Sequence, residues 1–265
     1  MTGAIRIGIG GWTFPPWRGA FYPKGVRPAG ELGFASRKLT AIEINGTHYS
    51  SYRAETFAAW AAETPPGFVF SLKASRLCTN RRVLAEAGEA VQRFFDQGVT
   101  KLGDRLGPVC WQFAKTKRFD RDDFAAFLDL LPSHLAGLPL RHVVEVRHES
   151  FKDERFVDLC RERRVAICIA DHEVFPMISD VTADFVYVRL MKGRDDVETC
   201  YPSADLDAWA GRLRAWARGA STDLPPIDPA VAVPPRDRDV FAYFIRGGKP
   251  RAPAGATALM ERLEP

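Results

Sequence analysis

Cysteines, histidines and long apolar runs are scarce in this sequence. Five cysteines and five histidines occur in 265 residues. No two cysteines form a C-x-x-C pair, which disfavours a zinc ribbon and favours reduced thiols in the cytosol. No apolar run approaches the ~20 residues of a membrane span, and the first residues run almost directly into a strand-like segment. We therefore expect a cytoplasmic protein with neither a secretory signal nor a transmembrane helix, and without a membrane partner.

A strong net charge and a dinucleotide fingerprint are also lacking. The formal charge of +4 suits an anionic ligand but falls short of the basic surface of a dedicated nucleic-acid binder. The early Gly8-x-Gly10-Gly11-Trp12 has neither the glycine spacing nor the immediate helix of a dinucleotide-binding motif. With 46% hydrophobic and 26% charged residues, the chain can bury one substantial core, and we expect a single domain over residues 1–265.

Eight segments carry the alternation or the short apolar runs of β-strands. They lie at about 5–10, 41–49, 68–75, 108–113, 141–148, 165–171, 185–191 and 240–245. Helical spacing separates most of them, for example at 83–97, 204–217 and 254–263, whereas 174–184 is too irregular for a helix. The proline-rich segment 224–235 is interpreted as a mobile connection. The pattern predicts an α/β fold, a single-domain (β/α)8 TIM barrel with a long proline-rich connection before the last strand; a doubly wound open sheet is the main competitor.

The predicted strands end in polar residues, at the barrel end where this fold places its chemistry. These residues are Trp12, Asn45, Thr47, Lys73, Gln112, Arg147, Asp171 and Arg189, with Glu43 and Glu145 one layer deeper. Alternation places Glu43, Lys73, Glu145, Arg147 and Arg189 on sides that converge on the interior. We expect a functional site there, and the alternative is an ion network that fills the barrel and fixes its register.

Four of these residues are the catalytic candidates: Glu145, Glu43, Lys73 and Asp171. Glu145 beside Arg147 fits either a carboxylate kept ionised as a general base or a simple ion pair. Lys73 can lose its proton in a desolvated site and form an imine with a carbonyl substrate. Pairing of Lys73 with Glu43 or Glu145 is, however, the expected arrangement. Asp171 is expected to act as a supporting carboxylate.

Histidines close to acids raise the alternative of a metal site. His48, His148 and His172 follow strand ends near Glu43, Glu145 and Asp171, and such ligands can bind a divalent metal. No two of them share a short motif, so surface or hydrogen-bonded histidines are the default. The cofactor thus stays unknown, and a divalent metal is not favoured.

Two basic glycine turns lie where barrels of this type often bind phosphate. They are Lys192-Gly193-Arg194 after the seventh strand and Arg246-Gly247-Gly248-Lys249 after the eighth. Glycine amides, cations and a helix N-terminus together favour an anion site, although two solvated turns explain the same residues. The substrate-binding candidates are therefore Trp12, Asn45, Thr47, Gln112, Arg147, His148, Arg189, Lys192 and Arg246. Trp12, Trp17, Phe21 and Tyr22 fit either an aromatic wall over the mouth or packing of the first loop onto the barrel.

Several separated motifs together resemble the YecE-like proteins. They are Gly10-Gly11-Trp12, Trp17-x-Gly19-x-Phe21-Tyr22-Pro23, Glu43-x-Asn45-x-Thr47-x-Tyr49, Leu106-Gly107-Pro108, Glu145-x-Arg147-His148-x-Ser150 and Tyr187-Val188-Arg189-Leu190. The resemblance implies a TIM barrel of unknown function with a shared polar pocket, over nearly the whole chain. This chain has His48 where the family usually has an aromatic residue, Lys192 in place of a histidine, and Ile245-Arg246-Gly247 in place of an Asn-rich strand end. These departures make the mouth more basic.

The favoured function is an enzyme that acts on a small anionic substrate, bearing phosphate or carboxylate, at the C-terminal mouth of the barrel. Two alternatives remain. One is a protein that binds single-stranded or damaged nucleic acid through the aromatic loop and Lys249-Pro250-Arg251, with affinity that falls steeply with salt. The other is a metal-dependent phosphodiesterase-like hydrolase.

Overall fold

β-Strands and α-helices alternate along the chain and close into a cylinder. The computed structural model describes residues 2–264. Its eight barrel strands, β1 to β8, are Ile5–Gly10, Ala41–Ile44, Val69–Lys73, Leu106–Gln112, His142–Glu145, Ala166–Asp171, Phe185–Leu190 and Asp239–Phe244. Neighbouring strands are parallel, and β8 returns to β1 in a register that sets Val240 beside Ile5. The single-domain (β/α)8 barrel is confirmed, and the open sheet is excluded because the barrel is closed.

Eight α-helices lie within residues 2–264. Helices α1 to α8 are Glu31–Lys38, Ala54–Glu63, Arg76–Thr79, Gly88–Asp96, Arg121–Asp129, Glu154–Glu162, Ser203–Ala217 and Ala252–Leu263. Both α3 and α4 lie between β3 and β4, whereas residues 172–184 join β6 to β7 without a helix, as their irregular pattern predicted. A two-stranded hairpin, His134–Leu135 with Leu138–Pro139, precedes β5. Within residues 2–264, no helix is long and apolar enough to cross a bilayer.

Two strands end earlier than the alternation predicted. Strand β2 ends at Ile44, before the 3-10 turn Gly46–His48, and β5 ends at Glu145, before the 3-10 turn Glu149–Phe151. In the first turn the hydroxyl proton of Thr47 is shared between the carbonyl oxygens of Ile44 at 3.1 Å and Lys73 at 2.7 Å. These local side-chain bonds compete with the ladder and take the chain out of the sheet. The residues beyond both strand ends therefore lie on turns at the mouth.

Apolar residues cover both faces of the sheet. On the outer face, strand residues such as Ile7, Ile42 and Leu72 pack against the helices. Inside the barrel lie Ala41, Val69, Cys110, Val143, Ala166, Cys168, Phe185, Tyr187, Phe241 and Tyr243. Arg141 lies over the Phe185 and Phe241 rings and pairs with Asp239 at 2.8 Å, which closes the N-terminal end. The polar mouth thus stands on a filled interior.

The proline-rich connection 224–235 is fastened to the N-terminal side of the barrel. The carboxylate of Asp180 accepts the backbone N–H groups of Ile227 at 2.7 Å and Asp228 at 3.0 Å. Asp228 in turn lies 3.2 Å from Arg161 of α6. The buried carboxylate thus anchors the first half of this segment to the barrel, and its interpretation as a mobile connection stays a prediction.

His142 is a buried histidine whose ring is held neutral. The indole N–H of Trp111 donates to its Nδ1 at 3.1 Å, and its Nε2 lies 2.8 Å from the carbonyl oxygen of Pro132. Burial lowers the pKa of His142 to about 4. Between pH 6.5 and 4 the unfolded chain binds a proton that the folded chain does not, so this residue removes stability as the pH falls. We expect it to lower the free energy of unfolding by about 2 to 3 kcal/mol over that range.

Urea unfolding at pH 7, 5.5 and 4 tests this expectation. His142→Gln should lose less stability than the wild type between pH 6.5 and 4, because its side chain does not titrate. His134→Gln is the matched control, since His134 is exposed and should leave the pH dependence unchanged. Identical pH dependence in the wild type and His142→Gln would contradict the assignment.

Candidate functional site

Four ionisable side chains converge inside the barrel at the C-terminal ends of the strands. They are Glu43 on β2, Lys73 on β3, Glu145 on β5 and Arg189 on β7, and all four are buried. Residues directly opposite in a parallel ladder face the same side. The ladder pairs Gln112 with Glu145, so Gln112 joins the group from β4.

Arg189 is the central cation of this group. Its guanidinium donates to Glu43 Oε1 at 2.9 Å and also to Glu145 Oε2. The Tyr187 hydroxyl donates to the other oxygen of Glu43 at 2.6 Å. Burial lowers the pKa of Arg189, but Glu145 and Glu43 raise it more, and the net pKa is well above its usual value. Only 1% of Arg189 is exposed, so it bridges the two acids and offers no surface to a substrate, which corrects its predicted binding role.

Glu145 is held by two guanidinium groups. Its Oε1 accepts from Arg147 Nε at 2.7 Å, while Oε2 accepts from Arg189. Arg147 also donates to the Gln112 side-chain oxygen. Burial raises the pKa of Glu145, but Arg189, Arg147 and Lys73 outweigh this effect, and the net pKa is lowered. An ionised carboxylate with both oxygens engaged is a weak base, so the geometry favours the ion-pair interpretation of Glu145.

Lys73 is buried but has no such partner. Among residues 2–264 its Nζ makes no hydrogen bond or ion pair, since Glu43 and Glu145 are held by Arg189 and Arg147. Burial lowers the pKa of Lys73, Arg189 lowers it further, and the two acids offset only part of the shift. The predicted pairing of Lys73 with Glu43 or Glu145 is therefore wrong, because guanidinium groups with better carboxylate geometry occupy both acids.

The turn Gly46–His48 fixes the backbone that carries Lys73. Thr47 Oγ1 lies 2.7 Å from the Lys73 carbonyl oxygen, and His48 Nδ1 lies 2.7 Å from that of Ala74. Burial lowers the pKa of His48 to about 4, and the charge of Lys73 contributes. His48 is thus neutral at pH 7, with its proton on Nδ1 and a free lone pair on Nε2. Thr47, predicted to bind substrate, is 1% exposed and positions the strand instead.

An aromatic stack from the β6–β7 connection covers Arg147. The Phe175 ring lies 4.6 Å from the Arg147 guanidinium carbon, and His172 stacks on Phe175 at 3.8 Å. The Arg147 side chain keeps 20% of its surface exposed, so it is oriented yet reachable from the mouth. Sequence reasoning missed Phe175 because residues 172–184 have no periodicity. Its only signal was an aromatic residue soon after the sixth strand.

Asp171 lies on the opposite face of its strand from the interior group. On the β6–β7 ladder, Ala170 is beside Arg189, whereas Asp171 is beside Leu190, which belongs to the outer core. The Tyr201 hydroxyl donates to Asp171 Oδ2 at 2.9 Å, and Lys192 Nζ lies 3.1 Å from Oδ1. Asp171 therefore lies apart from the interior group, and its predicted role as a supporting carboxylate stays a prediction. Strand β6 is apolar until its last residue, so alternation could not indicate the face.

Trp12 and the first loop pack beside the barrel. The Trp12 ring meets Trp60 of α2 edge to face at 5.2 Å. Trp17 and Tyr22 are each 1% exposed, and the Tyr22 ring contacts Phe34 of α1 at 5.7 Å. The packing alternative is therefore correct for Trp17 and Tyr22, whereas Trp12 keeps part of its surface exposed and its assignment to substrate binding stays a prediction.

Asn45 and His148 lie half-buried near the strand ends. Asn45 Nδ2 donates weakly to the Glu43 carbonyl at 3.4 Å. His148 Nδ1 accepts the Ser150 N–H at 3.1 Å and so begins a 3-10 turn. Each keeps part of its side chain open, and their predicted contacts with a substrate stay predictions.

The two basic glycine turns meet through their backbones. Gly193 forms a parallel bridge with Gly247, and a Cβ at Gly247 would lie 2.4 Å from the Gly193 oxygen. Three of the four cations in these turns interact elsewhere: Lys192 with Asp171, Arg194 with Asp196, and Lys249 with the Phe14 ring. Arg246 is exposed, and its charge helps to lower the pKa of His172 after burial. Arg246 is thus the cation that these turns offer to the mouth, and phosphate binding there stays a prediction.

The histidines past the strand ends use Nδ1 for local bonds. His48 Nδ1 bonds the Ala74 carbonyl, that of His148 contacts Ser150, and that of His172 accepts the N–H of Val174 at 3.0 Å. Within residues 2–264, no group of three or more His, Cys, Asp or Glu side chains is arranged to hold a metal ion. The described geometry therefore lends no support to the metal-dependent hydrolase.

Comparisons with known proteins identify the family. The model of the family described as "Protein of unknown function DUF72" matches residues 6–265. No curated protein matches the chain. The crystal structure of a DUF72 family protein from Thermotoga maritima superposes with a TM-score of 0.70 at 20% identity, over 97% of each chain. One from Enterococcus faecalis gives 0.70 at 14% identity, over 98% of this chain and 97% of that chain. These structures share the barrel fold, and the family match confirms the YecE-like resemblance: the chain belongs to the DUF72 family.

Proposed function

We propose that the barrel mouth is the active site of an enzyme acting on a small substrate that carries a carboxylate or phosphate group. The observation that supports this is an excess of positive charge. Lys73, Arg147 and Arg189 are grouped with only two carboxylates, Glu43 and Glu145. A buried ammonium group without a counter-ion is costly. A bound anion would supply the missing negative charge.

The residues of the mouth divide into a frame and a contact set. Arg189, Glu43 and Glu145 form the frame, because each is buried and held by the others. Arg147 and Lys73 would contact the anion, since Arg147 keeps an open face and Lys73 has no partner. Arg246 at the rim would attract the substrate over a longer range.

An ion network with a purely structural role explains only part of the group. Such a network accounts for Arg189 and its two acids, whose polar atoms are largely satisfied. It does not account for Lys73, because buried charges in structural networks are normally paired. A charged side chain kept at a loss in stability is more typical of a functional site.

Ligand-dependent thermal stabilisation tests the proposal with a panel of phosphate- and carboxylate-bearing metabolites. A ligand of the mouth should raise the Tm of the wild type, and Arg147→Met should weaken its affinity about tenfold or more, since a hydrogen bond to a charged group contributes about 1.5 to 3 kcal/mol. Arg93→Met is the control, because Arg93 is exposed and pairs with Glu89 on α4. Stabilisation that is absent for the whole panel, or equal in wild type and Arg147→Met, would contradict the proposal.

A further inference from the structure

The amine of Lys73 is both confined and reachable. Its side chain is 6% exposed, and the strand beneath it is tied down by Thr47 and His48. In the described part of the chain, Arg189 Nε has no partner and is fully buried, whereas Lys73 Nζ has no partner but is not fully buried. The amine therefore touches the solvent of the mouth. A lysine fixed at its base and free at its tip is suited to bond formation.

The surroundings of Lys73 make its neutral amine easier to reach than that of an exposed lysine. Burial and the adjacent Arg189 lower its pKa, which increases the unprotonated fraction near neutral pH. Neither neighbouring acid is free to hold the ammonium form, since Arg189 and Arg147 bind them.

We infer that Lys73 is a catalytic nucleophile that forms an imine with the carbonyl carbon of a small anionic substrate, a 2-oxo acid or a carbonyl-bearing phosphate. This inference rests on the function proposed above and names its substrate class. Arg147 binds the anionic group and so places the carbonyl at Nζ. Guanidinium groups cannot act as nucleophiles at accessible pH, so Arg147 and Arg189 are excluded. Lys73 can lose its proton and, among the described residues, has no partner that would hold it.

The step balances without an oxidant or reductant. The Nζ lone pair adds to the carbonyl carbon, and the carbonyl oxygen takes up a proton to give a carbinolamine. Nitrogen passes a proton through the solvent of the mouth to the hydroxyl group, which leaves as water. Amine, carbonyl compound and one proton from solvent thus give the protonated imine and one water. The protonated imine then withdraws electrons from the neighbouring carbon.

Reductive trapping tests the inference in the intact chain. Glyoxylate, the smallest 2-oxo acid, and glycolaldehyde, a neutral aldehyde of similar size, are each added with sodium cyanoborohydride at pH 7, and the modified lysines are mapped by mass spectrometry. We expect glyoxylate to modify Lys73 several-fold faster than the exposed Lys24 and Lys38, because a lowered pKa increases the neutral fraction of Lys73 and Arg147 would hold the carboxylate of glyoxylate beside it. Adducts spread over surface lysines without preference for Lys73 would overturn the inference.

Two variants separate the imine from anion binding. Lys73→Met should lose the adduct. It should unfold no more easily than the wild type, because the substitution removes an unpartnered buried charge. If the variant misfolds, the map of modified lysines in the wild type still tests the inference. Arg147→Met should slow trapping of glyoxylate but not of glycolaldehyde. Arg147-dependent stabilisation by glyoxylate without a Lys73 adduct would refute the imine alone. Equal trapping of both aldehydes, unaffected by Arg147→Met, would support the imine and refute the anion site.

Discussion

Arg189→Met is expected to lower the free energy of unfolding by about 4 kcal/mol at pH 7, since removing one member of a buried ion pair typically costs about 3 to 5 kcal/mol. The substitution keeps the length of the side chain but leaves Glu43 and Glu145 in a buried site without the cation that bridges them. Arg147 still holds one oxygen of Glu145, so part of the electrostatic stabilisation remains.

The pH dependence distinguishes this effect from lost packing. Without Arg189, burial should raise the pKa of Glu145, which this guanidinium lowers in the wild type. Protonation then removes this buried charge, so the difference from the wild type should shrink between pH 7 and pH 4.5. Arg93→Met is the control, because Arg93 pairs with Glu89 on an exposed helix face and should change stability by less than about 0.5 kcal/mol. A loss independent of pH would indicate a packing defect.

Gly247→Ala is expected to destabilise the barrel by about 3 to 4 kcal/mol, from backbone strain and overpacking together. Gly247 has φ +71°, and a Cβ there would lie 2.4 Å from the Gly193 oxygen and 2.8 Å from that of Met191. All of these neighbours are backbone atoms of the β7 turn, so no side chain can rotate away. Relief requires the β7 and β8 turns to separate.

The same glycine-to-alanine substitution at Gly211 is expected to stabilise the protein, in contrast to Gly247→Ala. Gly211 lies within α7, and a Cβ there meets no atom within 4 Å. Because glycine is a poor helix former, this variant should gain about 0.5 to 1 kcal/mol. Chemical unfolding of both variants gives the comparison. A Gly247→Ala variant as stable as Gly211→Ala would mean that the two turns do not pack as described.

The strands whose two faces differ in polarity were predictable from the sequence. Glu43, Lys73, Glu145 and Arg189 each alternate with apolar neighbours, so period two alone placed them inside, and closure of the barrel brought them together. Alternation indicated no face for Asp171, because β6 is apolar up to that residue. Alternation also predicted β2 and β5 to be longer than they are, because Thr47 and the residues after Glu145 belong to short turns and not to the sheet.

The pairing of the interior charges was not predictable from the sequence. Which acid meets which cation depends on the height of each residue in the barrel, and that height is set by the stagger of all eight strands. Alternation therefore predicted that Lys73 pairs with Glu43 or Glu145. In the structure these two acids pair with Arg189 and Arg147 instead. The position of Phe175 could not be predicted for another reason. It lies in an irregular loop, which has no periodicity that indicates where a side chain points.

The closure of β8 onto β1 constrains when the protein can fold during its synthesis. Ala4 donates a hydrogen bond to Asp239, 235 positions away, and Glu43 meets Arg189 across 146 positions. During synthesis, 235 positions separate β1 from its neighbour β8, and Glu43 has no counter-ion from β7 until Arg189 is made, 146 positions later. Nascent chains thus expose an unpaired strand edge, a template for aggregation, until β8 is made. Completion of the barrel is expected to be slow because its contacts are so distant in sequence.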